Sequence, residues 1–529
     1  PATEPPAPLS HRHLPTKALI VFLYILQGVP MGLIFGSIPY MLKATKRSSL
    51  SYGHFGLFSL AGYPYSLKLF WSPIVDHFYV QRWGRRKSWL LPVQIGIGVA
   101  FWVLSTWIND WIQPGKPVDF WKLNGSFLFL VTLCATMDIA IDGWVLTLLP
   151  PAKRHMASTC QSVGLNIGLS ISFTIFLALS SEQFCQQFLG MNGDVGLISL
   201  GGFMKFWAVI YAASAGLLLF KTESTKAKPN AGTSGQSINN TAKIFRVYNE
   251  LWKILQLPTV RVFSVILLTF KFAFSAYDAV APLKLLEKGF PKESLAVARL
   301  IDFPFQIVAG YIVSRWSNSK DAQHKSKTLE PWIFATYARV IMSFIGLYVI
   351  NRFEEPNTVG KTTLIIATTI VTSFCHTAMF VSMGSYFLSI SDPLHGGTYL
   401  TLMNTLSIFA GMWPKLPVML AVEVLTFKRC PCYWQVSLTY CQDAGGRCNI
   451  TFDGFYPVST ACMLVGLAWF QWWIKPNIEA LQEKPLNAWM VASPTAISGP
   501  KVKEPFNLDE DASENLFLNQ SNESLRVFK

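Results

Sequence analysis

The chain has 529 residues, of which 51% are hydrophobic and 14% are charged, and its mean hydropathy is +0.34. Soluble proteins carry roughly 25% charged residues, so this composition excludes an ordinary soluble enzyme and indicates that lipid is the main solvent. The net charge is +14, but the basic residues are scattered over short loops. That scatter argues against nucleic acid as a partner and favours anionic lipid and an anionic substrate.

Apolar runs of the length that crosses a bilayer, about 20 residues, recur along the whole chain. About twelve are present, near 18–42, 54–76, 89–108, 124–149, 156–180, 203–221, 259–283, 293–316, 330–350, 361–390, 398–424 and 456–474. The sequence therefore predicts an all-α, multi-pass protein embedded in the lipid bilayer.

An internal repeat divides these runs into two halves. Gly-Tyr-Pro-Tyr at 62–65 recurs as Asp-Phe-Pro-Phe at 302–305 (304 − 64 = 240), and Cys134 recurs as Cys375 (375 − 134 = 241). Repeats in a membrane chain are typical of transporters, which hold their substrate between the halves near the bilayer midplane. We predict two six-helix bundles, one over 18–221 and one over 259–474.

The basic loops predict the orientation. Residues 82–87 include Arg82, Arg85, Arg86 and Lys87, and the linker 222–258 is also rich in Lys and Arg. Because basic loops stay in the cytosol, this face and both termini are expected to be cytosolic.

The segments outside the bundles are polar. We expect a cytosolic N-terminal stub over 1–17 and a disordered cytosolic tail over 475–529. In the linker, apolar residues spaced along 243–257 predict an amphipathic helix on the cytosolic lipid surface.

Four of the nine cysteines crowd into the loop 425–455, on the opposite face. They are Cys430, Cys432, Cys441 and Cys448. Disulfides are favoured over a zinc site because the paired Cys-x-x-Cys spacing of zinc knots is missing, and the pairing stays open. No metal site is therefore predicted, and Asn449 in the same loop is a glycosylation candidate.

Ionisable residues inside the spans are the functional candidates, because charge in lipid is costly. Asp138 and Asp142 lie four residues apart, on one helical face of the fourth span. Their repulsion calls for counter-charges, for which Lys68 and Lys271 are candidates. The two acids could bind substrate or protons directly, or brace helix packing and a gate.

Arg339, deep in the ninth span, is the best single candidate for gripping a phosphate, because its donor fork suits that geometry. Arg299 and Asp302 could form a local ion pair. His376 could bind substrate, carry protons or hydrogen-bond a neighbouring helix. Further ionisable residues within the spans are Asp278, Lys415 and Glu423.

The motifs that would indicate an enzyme or an ATP-driven pump are incomplete or missing. Gly360-Lys361-Thr362 resembles part of a nucleotide P-loop, but Glu355 replaces its leading glycine and an apolar span follows. The sequence contains no Gly-x-Ser-x-Gly elbow. We therefore predict neither an enzyme nor an ATP-driven pump, and no cofactor.

Asp76 followed by Gly-Arg-Arg-Lys at 84–87 resembles the loop signature of the major facilitator superfamily, with a longer gap than usual. That resemblance implies that Asp76, Arg85 and Arg86 brace the cytosolic side in the outward-facing state. The stretches 64–73, 84–89 and 138–144 resemble the branch that contains acetyl-coenzyme A transporters and bacterial muropeptide permeases.

Residues 26–30, 36–39 and 391–399, with the Cys-rich loop, are similar to the acetyl-coenzyme A transporter side of that branch. The resemblance implies an endoplasmic-reticulum carrier that brings cytosolic acetyl-CoA into the lumen, in exchange for CoA. A homodimer is one expected assembly.

The residues fit that substrate. The cations expected to hold its phosphates are Lys68, Lys271, Arg299 and Arg339. The aromatic residues expected to stack on its adenine include Tyr65, Trp144 and Tyr277. Asp278 and Asp302 join the other acids as gating or coupling candidates.

Two rivals remain. One is a proton-driven permease of the muropeptide kind, with Asp138 or Asp142 as its proton site. The other is a membrane acetyltransferase with His376 as its base, for which the sequence offers no partner acid.

Overall fold

The computed structural model describes residues 13–44, 50–80, 82–112, 118–149, 156–190, 196–220, 240–317, 328–353, 359–391, 396–429 and 449–490. Its α-helices are α1 (His13–Gly32), α2 (Ile38–Ala44), α3 (Tyr52–Ser59), α4 (Tyr63–Leu67), α5 (Ser72–His77), α6 (Lys87–Trp111), α7 (Phe120–Leu148), α8 (Met156–Ser170), α9 (Phe176–Leu179), α10 (Glu182–Leu189), α11 (Leu200–Phe220), α12 (Asn240–Gln256), α13 (Pro258–Thr269), α14 (Phe272–Glu287), α15 (Lys292–Ser317), α16 (Glu330–Asn351), α17 (Val359–Ile390), α18 (Gly396–Ala410), α19 (Lys415–Val424), α20 (Phe455–Trp469) and α21 (Lys475–Gln482). Among these residues, nine helical stretches are long and apolar enough to cross a membrane. The other three expected crossings correspond to α3–α5, α8–α9 and α15.

Several spans change their helical form part-way across. Leu33–Ser37 and Ile171–Ile175 are π-helical turns that join α1 to α2 and α8 to α9, and Phe470–Ile474 is a third. The chain also breaks between α13 and α14 and between α18 and α19, where Pro414 precedes α19. Broken helices at membrane depth are tolerated where they line a cavity or are buried in protein, so these breaks mark candidate sites.

Helices of the two halves meet along the membrane-spanning region. Span 2 packs on span 11 through α3 with α19 and α4 with α18, α2 packs on α14, and α9 packs on α15. Within the first half, α1 packs on α8 and α6 on α11; within the second, α17 packs on α15 and α16. Helices from both halves therefore meet where spans 1, 2 and 5 face spans 7, 11 and 8. The bundle boundaries at 18–221 and 259–474 remain predictions.

One end of the bundle, which we call the linker face, carries α12 and residues 77–87 apart from position 81. The helix expected over 243–257 occupies Asn240–Gln256. Its apolar stripe is not left to lipid alone, because Leu251 and Ile254 are buried and α12 packs against α5, α13 and α18. The Tyr248 hydroxyl donates a hydrogen bond to the Phe70 carbonyl. The helix therefore contacts spans of both halves.

The opposite end, which we call the hairpin face, carries a short antiparallel β-hairpin. Strand β1 (Phe427–Arg429) pairs with β2 (Asn449–Phe452), with Arg429 opposite Asn449. Asn449, the glycosylation candidate, is the first residue of β2. Cys430, Cys432, Cys441 and Cys448 lie outside the described residues.

Candidate functional site

Asp138 lies in the middle of α7 and is almost completely buried, with 4% of its surface exposed. Lys68 forms a salt bridge to its Oδ2 atom, and Gln27 Nε2 donates a hydrogen bond to Oδ1 at 2.5 Å. The same Gln27 amide donates to the Tyr65 hydroxyl at 3.3 Å. Lys68, a candidate for a substrate phosphate, is therefore already paired with a carboxylate in this conformation.

Asp142, one helical turn further along α7, is held differently. The Tyr24 hydroxyl donates to its Oδ1 atom at 2.8 Å, and Gln161 Nε2 donates to the same atom at 3.1 Å. The two neighbouring acids thus have unlike surroundings, an ion pair for one and neutral donors for the other. Lys271, the second expected counter-charge, contributes to neither acid's hydrogen bonds.

Asp76, Arg85 and Arg86 meet at the linker face. Arg86 Nη1 lies 2.6 Å from Asp76 Oδ1, and Arg85 Nη2 lies 3.4 Å from the same atom. The Arg86 guanidinium also lies against Gly143 of α7, so closely that any side chain there would collide with it. The predicted signature residues thus tie the end of span 2 to span 4, directly beside Asp142.

A group of cations lies in the second half of the membrane region, at and near the two helix breaks. Lys271 stands between α13 and α14, and its Nζ donates to the Ser407 carbonyl at 2.8 Å. Lys415 is the first residue of α19. Both lysines are partly buried and close enough to interact electrostatically.

Arg339 of α16 completes this group, which we call the cation cluster (Lys271, Arg339 and Lys415). It is 6% exposed, its Nη2 lies 2.6 Å from Asp278 Oδ2, and its guanidinium lies 4.5 Å from the Phe274 ring centroid. Asp278 is also the acid whose charge acts on both lysines. Among the described residues, the three cations of the cluster therefore share one neighbouring carboxylate, Asp278.

Among the described residues, Asp278 is the one carboxylate that offsets this charge. The acceptor of Lys271 is a neutral carbonyl, and within the described ranges the Lys415 ammonium makes neither a hydrogen bond nor an ion pair. The N-termini of α14 and α19 add partial positive charge at the same breaks. Half-helix N-termini in transporters point at anionic substrate groups, and this arrangement suits a multiply charged anion.

The predicted aromatic residues differ in how much surface they offer. Trp144 is 1% exposed and Tyr65 is buried beside Gln27, so neither presents a face for stacking in this conformation. Tyr277 is partly exposed and packs its hydroxyl end against Gly346. Tyr277 is therefore the aromatic candidate next to the cation cluster, since it precedes Asp278.

The remaining predicted ions lie on α15 and α17. Asp302 is fully buried and accepts a hydrogen bond from Gln306 Nε2 at 2.7 Å. Arg299 lies on α15, but its side chain is outside the described part of the structure. His376 is exposed on α17. None of the three is brought to the cation cluster by a described contact.

A second polar group closes the hairpin face between the halves. Glu287, the last residue of α14, accepts a hydrogen bond from the Tyr52 hydroxyl at 2.5 Å and lies 3.1 Å from Lys43 Nζ. Lys284 Nζ lies 3.3 Å from Glu287 and also pairs with Asp453.

Span 2 is held to span 11 at the same face. The Gly53 amide donates to Glu423 Oε2 at 2.6 Å, where a side chain in place of Gly53 would collide with the carboxylate. Glu423 was among the predicted ions of the spans, but this network was not predicted. The sequence did carry a signal for it, because Pro39 and Pro282 lie 243 residues apart (282 − 39 = 243), close to the repeat spacing, and each is followed within a few residues by a lysine, Lys43 or Lys284.

A family model described as Acetyl-coenzyme A transporter 1 matches residues 17–491. The chain belongs to this family. It is 36% identical to an uncharacterized membrane protein of Saccharomyces cerevisiae, over 91% of this chain and 98% of that one. It is 34% identical to an uncharacterized protein of Schizosaccharomyces pombe, over 92% and 91%.

More distant similarity extends to other transporters. The anhydromuropeptide permease of Escherichia coli K12 is 25% identical over 46% of this chain and 45% of that protein. The xylose transporter of E. coli in an inward-open conformation superposes with a TM-score of 0.53, 12% identity and coverage of 88% and 99%. A POT family transporter with 5-aminolevulinic acid gives 0.55, 12% identity and coverage of 87% and 96%. The predicted major facilitator fold and the predicted family are confirmed.

In this transporter, Glu287→Gln is expected to loosen the hairpin face. The change keeps the shape of the side chain but removes the charge that Lys43 and Lys284 pair with, and hydrogen bonds to charged groups contribute about 1.5–3 kcal/mol. Deuterium exchange of the α3 backbone should therefore become roughly tenfold faster or more.

The matched control is Asp119→Asn, which removes an exposed carboxylate at the start of α7 that pairs only with Lys122 among the contacts described. Equal exchange of α3 in the two variants would show that Glu287 does not hold this face closed.

Proposed function

We propose that this transporter carries acetyl-CoA from the cytosol into the lumen of the endoplasmic reticulum, in exchange for CoA. The observation that supports this most is the cation cluster, whose positive excess lies at two helix breaks inside a member of the acetyl-coenzyme A transporter family. CoA carries several phosphate charges, and a polyanion would neutralise that excess.

The roles of the three cations follow from their chemistry. Arg339 offers a rigid, planar donor fork that can bind two phosphate oxygens at once, and it would exchange Asp278 for phosphate as substrate enters. Lys271 and Lys415 are point charges that could follow the phosphates as the helices move. Tyr277, which precedes Asp278, would stack on the adenine.

The two faces then serve as gates. In the described conformation, Glu287 and Glu423 hold the hairpin face closed between the halves. We propose that this face is lumenal and that the linker face, with its basic residues 82–87, is cytosolic. Asp76 and Arg86 would brace the linker face when the transporter opens to the lumen.

The test is exchange in proteoliposomes that contain the purified protein. Labelled acetyl-CoA outside should accumulate with time, and CoA trapped inside should stimulate this uptake. Excess unlabelled CoA should compete for the same site. Uptake no greater than in protein-free liposomes, from protein shown to be folded, would refute the proposal.

A second candidate is a proton-coupled permease of the muropeptide kind. The surroundings of Asp142 favour it, because an acid held by the neutral donors Tyr24 and Gln161 can take up a proton without leaving a lysine unpaired. In the same liposomes, uptake of an amino-sugar peptide driven by a pH gradient, without acetyl-CoA exchange, would select this candidate.

A further inference from the structure

A cavity of about 250 Å³ lies between spans 1, 5 and 8. Phe35 on span 1 and Asn166, Ser170 and Phe173 on span 5 line it, and Gln306 of α15 closes it from the other half of the molecule. Sites for whole drug-sized ligands measure roughly 300–1,000 Å³. This cavity therefore suits one part of a larger molecule.

The cavity lies where spans 1 and 5 both depart from α-helical geometry. The π-helical turns Leu33–Ser37 and Ile171–Ile175 both contribute residues to its lining. Between the two turns, the Ser37 hydroxyl donates a hydrogen bond to the Ser172 carbonyl at 2.5 Å. A single π-turn inside a helix costs hydrogen-bond geometry and occurs frequently at functional sites. Two such turns at one cavity indicate a functional site.

The chemistry of the described lining favours a neutral ligand. Among the described residues that line the cavity, none is acidic, basic or histidine. Gln306 uses its amide nitrogen on Asp302, which leaves its carbonyl oxygen to accept a hydrogen bond from a ligand. The Ser170 hydroxyl can donate or accept, while Phe35 and Phe173 supply apolar walls. Amide and hydroxyl groups on an aliphatic chain match this lining.

We propose that the cavity binds the uncharged, amide-bearing arm of the CoA substrate, while the cation cluster binds its phosphates. This inference rests on the proposed function. It divides recognition between the halves, because span 1 and span 5 supply most of the cavity and spans 7, 9 and 11 supply the cations. It also puts the arm at the interface between the two halves, since Gln306 reaches the cavity from the second half.

The test compares two ligands on purified protein by calorimetry. CoA has both phosphates and arm, whereas adenosine 3′-phosphate 5′-diphosphate has the nucleotide without the arm. Ser170→Phe fills the cavity and is expected to weaken CoA binding about tenfold or more while leaving the nucleotide within about twofold. Ser170→Leu fills less and should give a smaller loss for CoA alone.

Val163→Phe is the matched control, because it adds bulk to the same span at an exposed position outside the π-helical turn and outside the described lining, and it should change neither affinity. Ser170→Phe weakening both ligands equally, or neither, would overturn the inference while leaving the proposed function intact. Wild-type protein that binds neither ligand would refute the proposed function itself and, with it, this ligand for the cavity.

Discussion

Lys68→Met is expected to lower the free energy of unfolding by about 3–5 kcal/mol, the usual cost of leaving one partner of a buried ion pair without the other. Its partner Asp138 is 4% exposed and, among the described contacts, would keep the Gln27 hydrogen bond alone. Transport activity should fall together with the free energy of unfolding. The measurement is chemical unfolding of the purified protein in detergent, followed by tryptophan fluorescence.

The double variant Lys68→Met with Asp138→Asn distinguishes a lost pair from a lost packing contact. Removing both charges leaves no buried charge unpaired, so most of the lost stability should return. If the double variant loses as much free energy of unfolding as the two single variants lose together, the ion pair does not stabilise this region. Lys122→Met is the control, because it breaks an exposed pair with Asp119 and should have little effect.

Composition and repeat spacing predicted the fold because both follow from the membrane itself. A span must be apolar and about 20 residues long, whatever its neighbours are. The resemblance to the major facilitator superfamily was carried by residues 76–87, and Asp76 and Arg86 indeed meet in the structure. These inferences needed no knowledge of which helices touch.

Contacts between helices were harder to predict from sequence. Lys68 could be suggested as a counter-charge for the acids of α7, but the sequence did not say that Asp138 takes it and that Asp142 has neutral donors. Arg339 was singled out because it lies deep in an apolar span and its donor fork suits phosphate. Asp278, two spans away in the chain, becomes its partner only when α14 and α16 pack together.

Local distortions were also missed. A π-helical turn has no sequence signature of comparable strength to a proline or a glycine, so the turns at 33–37 and 171–175, and the cavity beside them, were not predicted. The break before Lys415 did have a signal, since Gly411 and Pro414 interrupt the eleventh span. Lys415 was noted as a buried ion but was not placed among the substrate-binding candidates.

The paired substitution Lys271→Gln and Lys415→Gln is expected to reduce acetyl-CoA affinity by about 100-fold or more. Each lysine would lose a charge-assisted contact to phosphate of about 1.5–3 kcal/mol, and tenfold in affinity corresponds to about 1.4 kcal/mol. Since the Lys415 ammonium makes no ion pair within the described ranges, its removal leaves no acid stranded. Calorimetric titration of the purified protein measures the effect.

Asp278→Asn should change affinity in the opposite direction. It removes the carboxylate that competes with phosphate for Arg339 and raises the net positive charge of the cluster, so acetyl-CoA should bind several-fold more tightly. Lys205→Gln is the control for charge alone, because Lys205 is exposed on α11 and outside the cluster.

If neutralising Lys271 and Lys415 leaves the acetyl-CoA affinity unchanged, in protein that remains folded, the phosphates are bound elsewhere. Opposite signs for the lysine and aspartate variants would instead identify the cluster as an anion site, because a purely structural role would weaken binding in both.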